Sequence, residues 1–313
     1  MVAQSGKDAD RPTARILEHS LLDRQRLLYW GGMSQTPLPS EKTMTMFGLS
    51  GATFVEQTQR ALVWKVTDPD GQAAALKVYD ATTMGNESAG FAYLDALNGR
   101  AAAKVMRWTS NVAVTEWLDG PSLGDMTRSG NDAQAAFELV KVASELHSKP
   151  LKVTAKLPAL ETWFTALFEI KIAADCPPGI QSTVMFCQAL ARQLVANQRD
   201  VCPLHGDLHH DNIRLGIRGY CAFDAKGVLG ERAYELANAF RNPKGASTLV
   251  GDPDRIRFLR DTWSDAFKVP PDRLMQWAAV KCALSIAWRS GGTLGQDTEF
   301  DLLDLLVAIS QEA

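Results

Sequence analysis

A chain of 313 residues exceeds what one simple core fills and suits two lobes, because domains typically run to about 100–150 residues. Hydrophobic residues make up 46% and charged residues 22%, as in an ordinary soluble globular protein. The net charge of −3 gives no electrostatic reason for a polyanionic partner, so neither nucleic acid nor an anionic membrane is expected.

In chain order, residues 1–10 are polar and lack the apolar core of a secretory signal, so no export is expected. A helix is predicted over 12–29, followed by a Gly/Pro/Ser/Thr-rich connector over 31–43. Apolar alternation then predicts strands at 53–57, 61–67 and 73–79. The last two are joined by Asp68-Pro69-Asp70-Gly71, where Pro presets φ and Gly accepts positive φ. A helix follows over 86–97, with Phe91, Leu94 and Leu97 as its apolar positions. Strands at 103–108 and 112–117 complete a five-stranded antiparallel sheet. Beyond Asp119-Gly120-Pro121 the periodicity turns helical, at 132–148, 160–174 and 181–196. Short strands at 213–215 and 220–223 interrupt it before helices at 232–240, 253–267, 272–288 and 299–309. The fold class is therefore α+β and bilobal: a small sheet-bearing N-terminal lobe over 1–118, a larger mostly helical lobe over 119–313, and a cleft between them. No apolar run reaches the roughly 20 residues that cross a bilayer. The cysteines Cys176, Cys187, Cys202, Cys221 and Cys282 form no C-x-x-C pair, which predicts buried free thiols in a reducing cytoplasm.

The run His205-Gly206-Asp207-Leu208-His209-His210-Asp211-Asn212, followed by Asp224, carries the most chemistry. Asp207 and Asn212 have the spacing of the kinase catalytic loop H-R-D-L-x-x-x-N, in which Asp positions the attacking hydroxyl and Asn holds magnesium. Asp207 is thus the expected catalytic base or hydroxyl-orienting group, and Asn212 and Asp224 are the expected magnesium ligands. Hard oxygen ligands from one or two protein groups, completed by phosphates, suffice for that ion. Zinc is disfavoured although three histidines crowd the run, because Gly206 and not Glu follows His205. His205 is expected to be a strut of the loop, and His209 or His210 a loop or substrate-facing residue.

Lys77 stands alone in the apolar strand Ala74-Ala75-Leu76-Lys77-Val78-Tyr79, and a buried ammonium needs a partner. The α/β-phosphates of a nucleotide and Glu87, at the start of the next helix, are the expected partners, as for the V-A-I-K lysine of kinases. Ser50 and Gly51, in Gly48-Leu49-Ser50-Gly51-Ala52-Thr53, are expected phosphate contacts through backbone amides, although the run is not G-x-G-x-x-G. At the change from strands to helices, the Glu116 carbonyl and the Leu118 amide are expected to meet an adenine edge. No P-loop run occurs.

With Asp207, Asn212, Asp224 and Lys77 in place, the chain resembles the aminoglycoside phosphotransferase family of the kinase-like fold. The runs 205–212 and 224–238 are similar to the branch of streptomycin 6-phosphotransferases and hydroxyurea phosphotransferases. The resemblance implies ATP (or GTP, as in some members), magnesium, and transfer of the γ-phosphoryl to a hydroxyl of a small polar molecule. An aminoglycoside such as streptomycin is the nominal acceptor, an antibiotic-resistance activity. Gly206 in place of the protein-kinase arginine points the same way. Ala225 departs from the proline usual in the branch, and Glu235 from a frequent aspartate; by its family counterpart, Glu235 anchors the catalytic loop. A polycationic acceptor calls for carboxylates, and Asp252, Asp254, Asp261, Asp265, Asp297, Glu299, Asp301 and Asp304 are candidates, although solvated helix faces are the plainer reading. The alternatives are a metabolite kinase acting on choline, homoserine, a thiopentose or a ketoamine, and a silent nucleotide-binding regulatory module. A protein kinase is disfavoured because no A-P-E-like segment follows Asp224. Monomer and dimer both remain open.

Overall fold

The computed structural model describes residues 37–174 and 176–312; the helix expected over 12–29 lies outside them. The first described helix, α1 (Glu41–Phe47), overlaps the end of the segment read as a connector. Ser40 caps it by accepting the Thr43 N–H at 3.1 Å, and Gly48 ends it in the left-handed conformation. Seven residues are too few for helical periodicity to register.

The five-stranded sheet is antiparallel throughout, in the order β1 (Ser50–Gln57), β2 (Ala61–Thr67), β3 (Ala73–Tyr79), β5 (Val112–Glu116) and β4 (Val105–Trp108). β2 and β3 match the sequence expectation residue for residue. Phe47, Leu49, Trp64, Val66, Leu76 and Val114 fill one face of the sheet, and Lys77 belongs to the opposite face by period-two alternation. A 3-10 turn, Gly85–Glu87, leads into α2 (Ser88–Leu97). This helix rests backbone against backbone on the segment after Asp224. A Cβ on Gly90 would lie 1.8 Å from the Ala225 carbonyl oxygen, and one on Gly227 (φ +67°) 2.2 Å from that of Ala89.

The second lobe holds α3 (Leu123–Arg128), α4 (Asp132–Leu146), α5 (Leu160–Glu169), α6 (Pro178–Ala196), α7 (Ser247–Val250), α8 (Pro253–Phe267), α9 (Pro271–Arg289) and α10 (Phe300–Ser310). Its centre is α9, with Leu274, Trp277, Val280, Leu284 and Ile286 all buried against neighbours on several sides. Three expectations needed correction. The helix over 160–174 stops at Glu169, and β6 (Lys171–Ile172) follows, paired in parallel with β11 (Thr293–Leu294). The segment over 232–240 is a 3-10 helix, Arg232–Arg241. The strands β7 (Val201–Leu204) and β10 (Val228–Glu231) were not foreseen, since Pro203 and Gly230 interrupt their short apolar runs and weaken the strand signal. These two strands pair antiparallel, and the hairpin of β8 (Ile213–Gly216) and β9 (Gly219–Ala222) falls between them in the chain. Residues 205–212 and Asp224 are thereby carried on loops that leave and enter short strands, facing the sheet of the first lobe.

Candidate active site

Lys77 Nζ lies 2.9 Å from Glu87 Oε2 and 3.1 Å from Asp224 Oδ1, so one ammonium joins the sheet, the turn that caps α2 and the second lobe. Tyr79 donates its hydroxyl to the same Glu87 oxygen at 2.5 Å. Lys226 Nζ reaches the other Asp224 oxygen at 3.2 Å. Burial works to lower the Lys77 ammonium, but Asp224 and Glu87 outweigh it and hold the group above its ordinary value. Burial likewise opposes the Asp224 carboxylate, and Lys226 and Lys77 hold it far below the usual carboxylate range. Asp224 adopts positive φ (57°), a strained conformation that Asp tolerates better than most residues, and 36% of its side chain stays open to the cleft.

The loop 205–212 hangs on Glu235. Its Oε2 accepts the His205 N–H at 2.9 Å and its Oε1 the Gly206 N–H at 3.1 Å, while His147 Nε2 approaches Oε2 at 2.8 Å. Burial opposes this carboxylate, and the His147 hydrogen bond leads the effects that hold it below its ordinary range. His205 is the strut that its position suggested. Its Nε2 lies 3.0 Å from the Phe223 carbonyl and its Nδ1 accepts the Asp207 N–H at 3.3 Å, which together require the Nε2–H tautomer. Burial lowers its pKa, consistent with a neutral ring.

Asp207 Oδ1 accepts from Asn238 Nδ2 at 2.8 Å. Asn212 Nδ2 donates to the Asp207 carbonyl at 3.0 Å and lies 3.5 Å from Asp207 Oδ2, so Oδ2 is the less engaged carboxylate oxygen. Burial works to raise the Asp207 carboxyl, and His209, Lys281 and Lys226 overcome it and keep the group below its ordinary value. His209 itself is pushed down to about 4 by burial, which leaves the two lysines to act at neutral pH. Of the two readings of His209 and His210, loop or substrate-facing, the structure favours the loop. His209 is 9% exposed and its Nδ1 accepts the Asp211 N–H at 3.2 Å. His210 is fully buried against Trp263, with a ring-centroid separation of 6.1 Å.

Lys77, Glu87, Glu116, Leu118, Asn212 and Asp224 all line one cavity of 410 Å3, closed by Val55, Val63, Ala75, Phe91, Trp117 and Phe223. Its apolar wall and polar end are what a nucleotide base and triphosphate need. The Glu116 side chain faces elsewhere, accepting the Lys104 N–H at 3.1 Å and pairing with Arg218. Ser50 and Gly51 do not line the cavity. Ser50 pairs with Thr67 whereas Lys77 pairs with Val63, which separates them by about 13 Å along the strands at ~3.3 Å per residue. The turn that overhangs the cavity is the other end of that hairpin, between β1 and β2, where Thr58 lines it. For a divalent ion, the Asp224 carboxylate and the Asn212 Oδ1, free because Nδ2 faces Asp207, offer the hard oxygen set that magnesium takes.

Several functional candidates carried no independent sequence signal. Asn238 and Lys226 lie within the run that resembles the family, but only the fold brings their side chains to Asp207 and Asp224. Tyr79 ends a strand, and Lys281 sits within α9. The carboxylates considered for a polycationic acceptor are mostly engaged within the protein. Arg289 binds Asp297 at 2.8 Å, Arg241 binds Glu299 at 2.6 Å, and Asp254, Asp261 and Asp265 meet Arg257, Arg260 and Lys268.

A family model described as aminoglycoside/hydroxyurea antibiotic resistance kinase matches residues 48–292. Streptomycin 3''-kinase of Klebsiella pneumoniae is 34% identical over 211 residues, which span 66% of this chain and 77% of that protein. Among solved structures, amicoumacin kinase hAmiN in complex with AMP-PNP, Ca2+ and Ami superposes with a TM-score of 0.57 at 14% identity, over 87% of this chain and 93% of that one. Choline kinase LicA from Streptococcus pneumoniae gives a TM-score of 0.57 at 14% identity, over 86% of this chain and 96% of that one. At such identities the structural likeness establishes the bilobal kinase-like fold alone.

Proposed function

The chain belongs to the aminoglycoside/hydroxyurea antibiotic resistance kinase family, and from that premise we propose that it phosphorylates a hydroxyl of streptomycin with Asp207 orienting the attacking oxygen. It is a small-molecule kinase that draws its phosphoryl group from ATP. The observation that supports the site assignment best is the convergence of Lys77, Glu87, Asn212 and Asp224 on one cavity, with Asp207 hydrogen-bonded to Asn212 at its edge. The acceptor assignment rests on the 34% identity to a streptomycin kinase.

In this reading Lys77 binds the α/β-phosphates and is fixed by Glu87, which Tyr79 in turn holds. The Glu116 carbonyl and the Leu118 amide take the adenine edge, and the turn at Thr58 covers the phosphates in place of Ser50 and Gly51. Asn212 Oδ1 and the Asp224 carboxylate hold magnesium, which when bound neutralises charge on the β- and γ-phosphates. The acceptor hydroxyl oxygen forms the new bond to the γ-phosphorus as the bond to the β-phosphate oxygen breaks. The hydroxyl proton passes to Asp207 Oδ2, the less engaged of its two oxygens. Lys77 and the cationic surroundings of Asp224 stabilise the transferring charge. We set the junction of the lobes between Leu118 and Asp119, and assign the enzyme to the cytoplasm, where ATP is available and thiols such as Cys187, Cys202, Cys221 and Cys282 remain reduced.

Incubation with γ-labelled ATP, magnesium and a panel of streptomycin, other aminoglycosides, hydroxyurea, choline and homoserine tests the acceptor. Labelled streptomycin is the expected product, and NMR of it identifies the phosphorylated hydroxyl. Transfer to choline or homoserine with streptomycin untouched would replace the acceptor assignment. Normal transfer by Asp207→Ala would sink the role given to Asp207.

A further inference from the structure

Three residues of the 3-10 helix Arg232–Arg241 stand in one row. At three residues per turn, Glu235, Asn238 and Arg241 share a face. Glu235 holds the backbone of the catalytic loop at His205 and Gly206, while Asn238 reaches the side chain of Asp207. Arg241 Nη1 donates to Asn238 Oδ1 at 3.2 Å, and its remaining nitrogens grip Glu299, with Nη2 2.6 Å from Oε1 and Nε 3.0 Å from Oε2. Glu299 also receives Arg289 Nη2 at 2.9 Å.

We propose that Asn238, held in a single amide orientation by Arg241 and Glu299, is the positioning residue that sets the rotamer of Asp207 for attack by the acceptor hydroxyl. The inference rests on the reading of Asp207 as the hydroxyl-orienting group. A primary amide has a donor end and an acceptor end, and Arg241 decides between them. The guanidinium can only donate, so Asn238 presents Oδ1 to Arg241 and Nδ2 to Asp207. The opposite orientation would set Oδ1 against a carboxylate and the NH2 against a cation. With Oδ1 of Asp207 occupied, Oδ2 is turned toward the side where Asn212 lies 3.5 Å away, which is the edge of the nucleotide cavity. Asn238 is 5% exposed and its own carbonyl accepts Asn242 Nδ2 at 2.8 Å, so the donor is fixed on a buried, braced segment. A strict 3-10 spacing serves this arrangement, since at about 100° per residue an α-helix would fan the three side chains over roughly 120° where the 3-10 turn eclipses them.

The test measures γ-phosphoryl transfer from Mg·ATP to streptomycin, and to water without acceptor, for Asn238→Ala, Arg241→Lys and the double variant. Nucleotide affinity and Tm are followed in parallel. Asn238→Ala is expected to lower kcat about 10–100-fold, with less than twofold change in ATP affinity, and Arg241→Lys about 3–10-fold. In the double variant the Arg241 effect disappears, because Arg241 acts through Asn238; a merely structural role would leave the two losses multiplying. Asn238→Ser repeats the measurement if the alanine variant fails to fold. A kcat within twofold of wild type for the Asn238 variants, while Asp207→Asn is inactive, would overturn the inference. Full transfer by Asp207→Asn would instead overturn the reading on which it rests.

Discussion

Replacing Lys281 by Met should stabilise the protein at neutral pH, and the gain should vanish in alkali. Lys281 is 2% exposed within α9; Ser285 Oγ lies 3.5 Å from its ammonium and the Trp288 ring centroid 4.4 Å, and among the described residues it forms no ion pair. Burial pushes its pKa from 10.5 down to about 8, with Asp207 and Glu299 acting to raise it and Arg241 to lower it further. At ~1.36 kcal/mol for each tenfold change in proton affinity, carrying that charge in the folded state costs about 3 kcal/mol. The folded pKa lies below the unfolded one, so between pH 8 and 10.5 the unfolded chain binds more protons and stability rises with pH. The penalty is full below about 8 and absent above 10.5. Methionine fills nearly the same volume, and loss of the contact with Trp288 offsets about 1 kcal/mol. Lys281→Met should therefore gain about 2 kcal/mol at pH 7 in urea unfolding followed by tryptophan fluorescence, and nothing or less above pH 10. An equal or lower stability at pH 7, or a gain independent of pH, would refute the reasoning. Because the Lys281 charge also helps keep Asp207 ionised, the stabilised variant is expected to be slower.

Other outcomes follow from the same contacts. Lys77→Met should lower Tm and lose about 100-fold or more in phosphoryl transfer, checked by kcat beside Tm, since it removes charge stabilisation and leaves the mostly buried Glu87 without its cation. Gly90→Ala should weaken ATP binding and lower Tm, because its Cβ would lie 1.8 Å from a backbone oxygen that cannot yield without moving α2 and Glu87. Glu235→Ala should cost about 3–5 kcal/mol in denaturant unfolding at pH 7, as it strips acceptors from two buried N–H groups and from His147. The Glu235 pKa is depressed in the fold, so its contribution is present above the ordinary 4.5 and fades as pH falls through the folded value. The stabilities of wild type and Glu235→Ala should accordingly converge in acid.

The sequence determined the elements whose signals are local. The strands 61–67 and 73–79 and the helix 253–267 are found with the expected bounds, because hydrophobic alternation, the Asp68-Pro69-Asp70-Gly71 turn and 3.6-residue periodicity each act within a few positions. The pairing of Lys77 with Glu87 was legible for the same reason, since both lie on adjoining elements ten residues apart. Asp207 and Asn212 were legible as candidates through a fixed spacing, and Glu235 as an anchor through family likeness. The tertiary structure decided what depends on contacts far apart in the chain. It brought Lys77 to Asp224 across 147 residues, placed Asn238 on Asp207, and paired β7 with β10. It also set Ser50 and Gly51 at the far end of their hairpin and buried His210. Glu299 and Asp297, two of the carboxylates considered for a polycationic acceptor, were taken up by Arg241 and Arg289, because a side chain's partner is fixed by packing across the core and not by its neighbours in sequence.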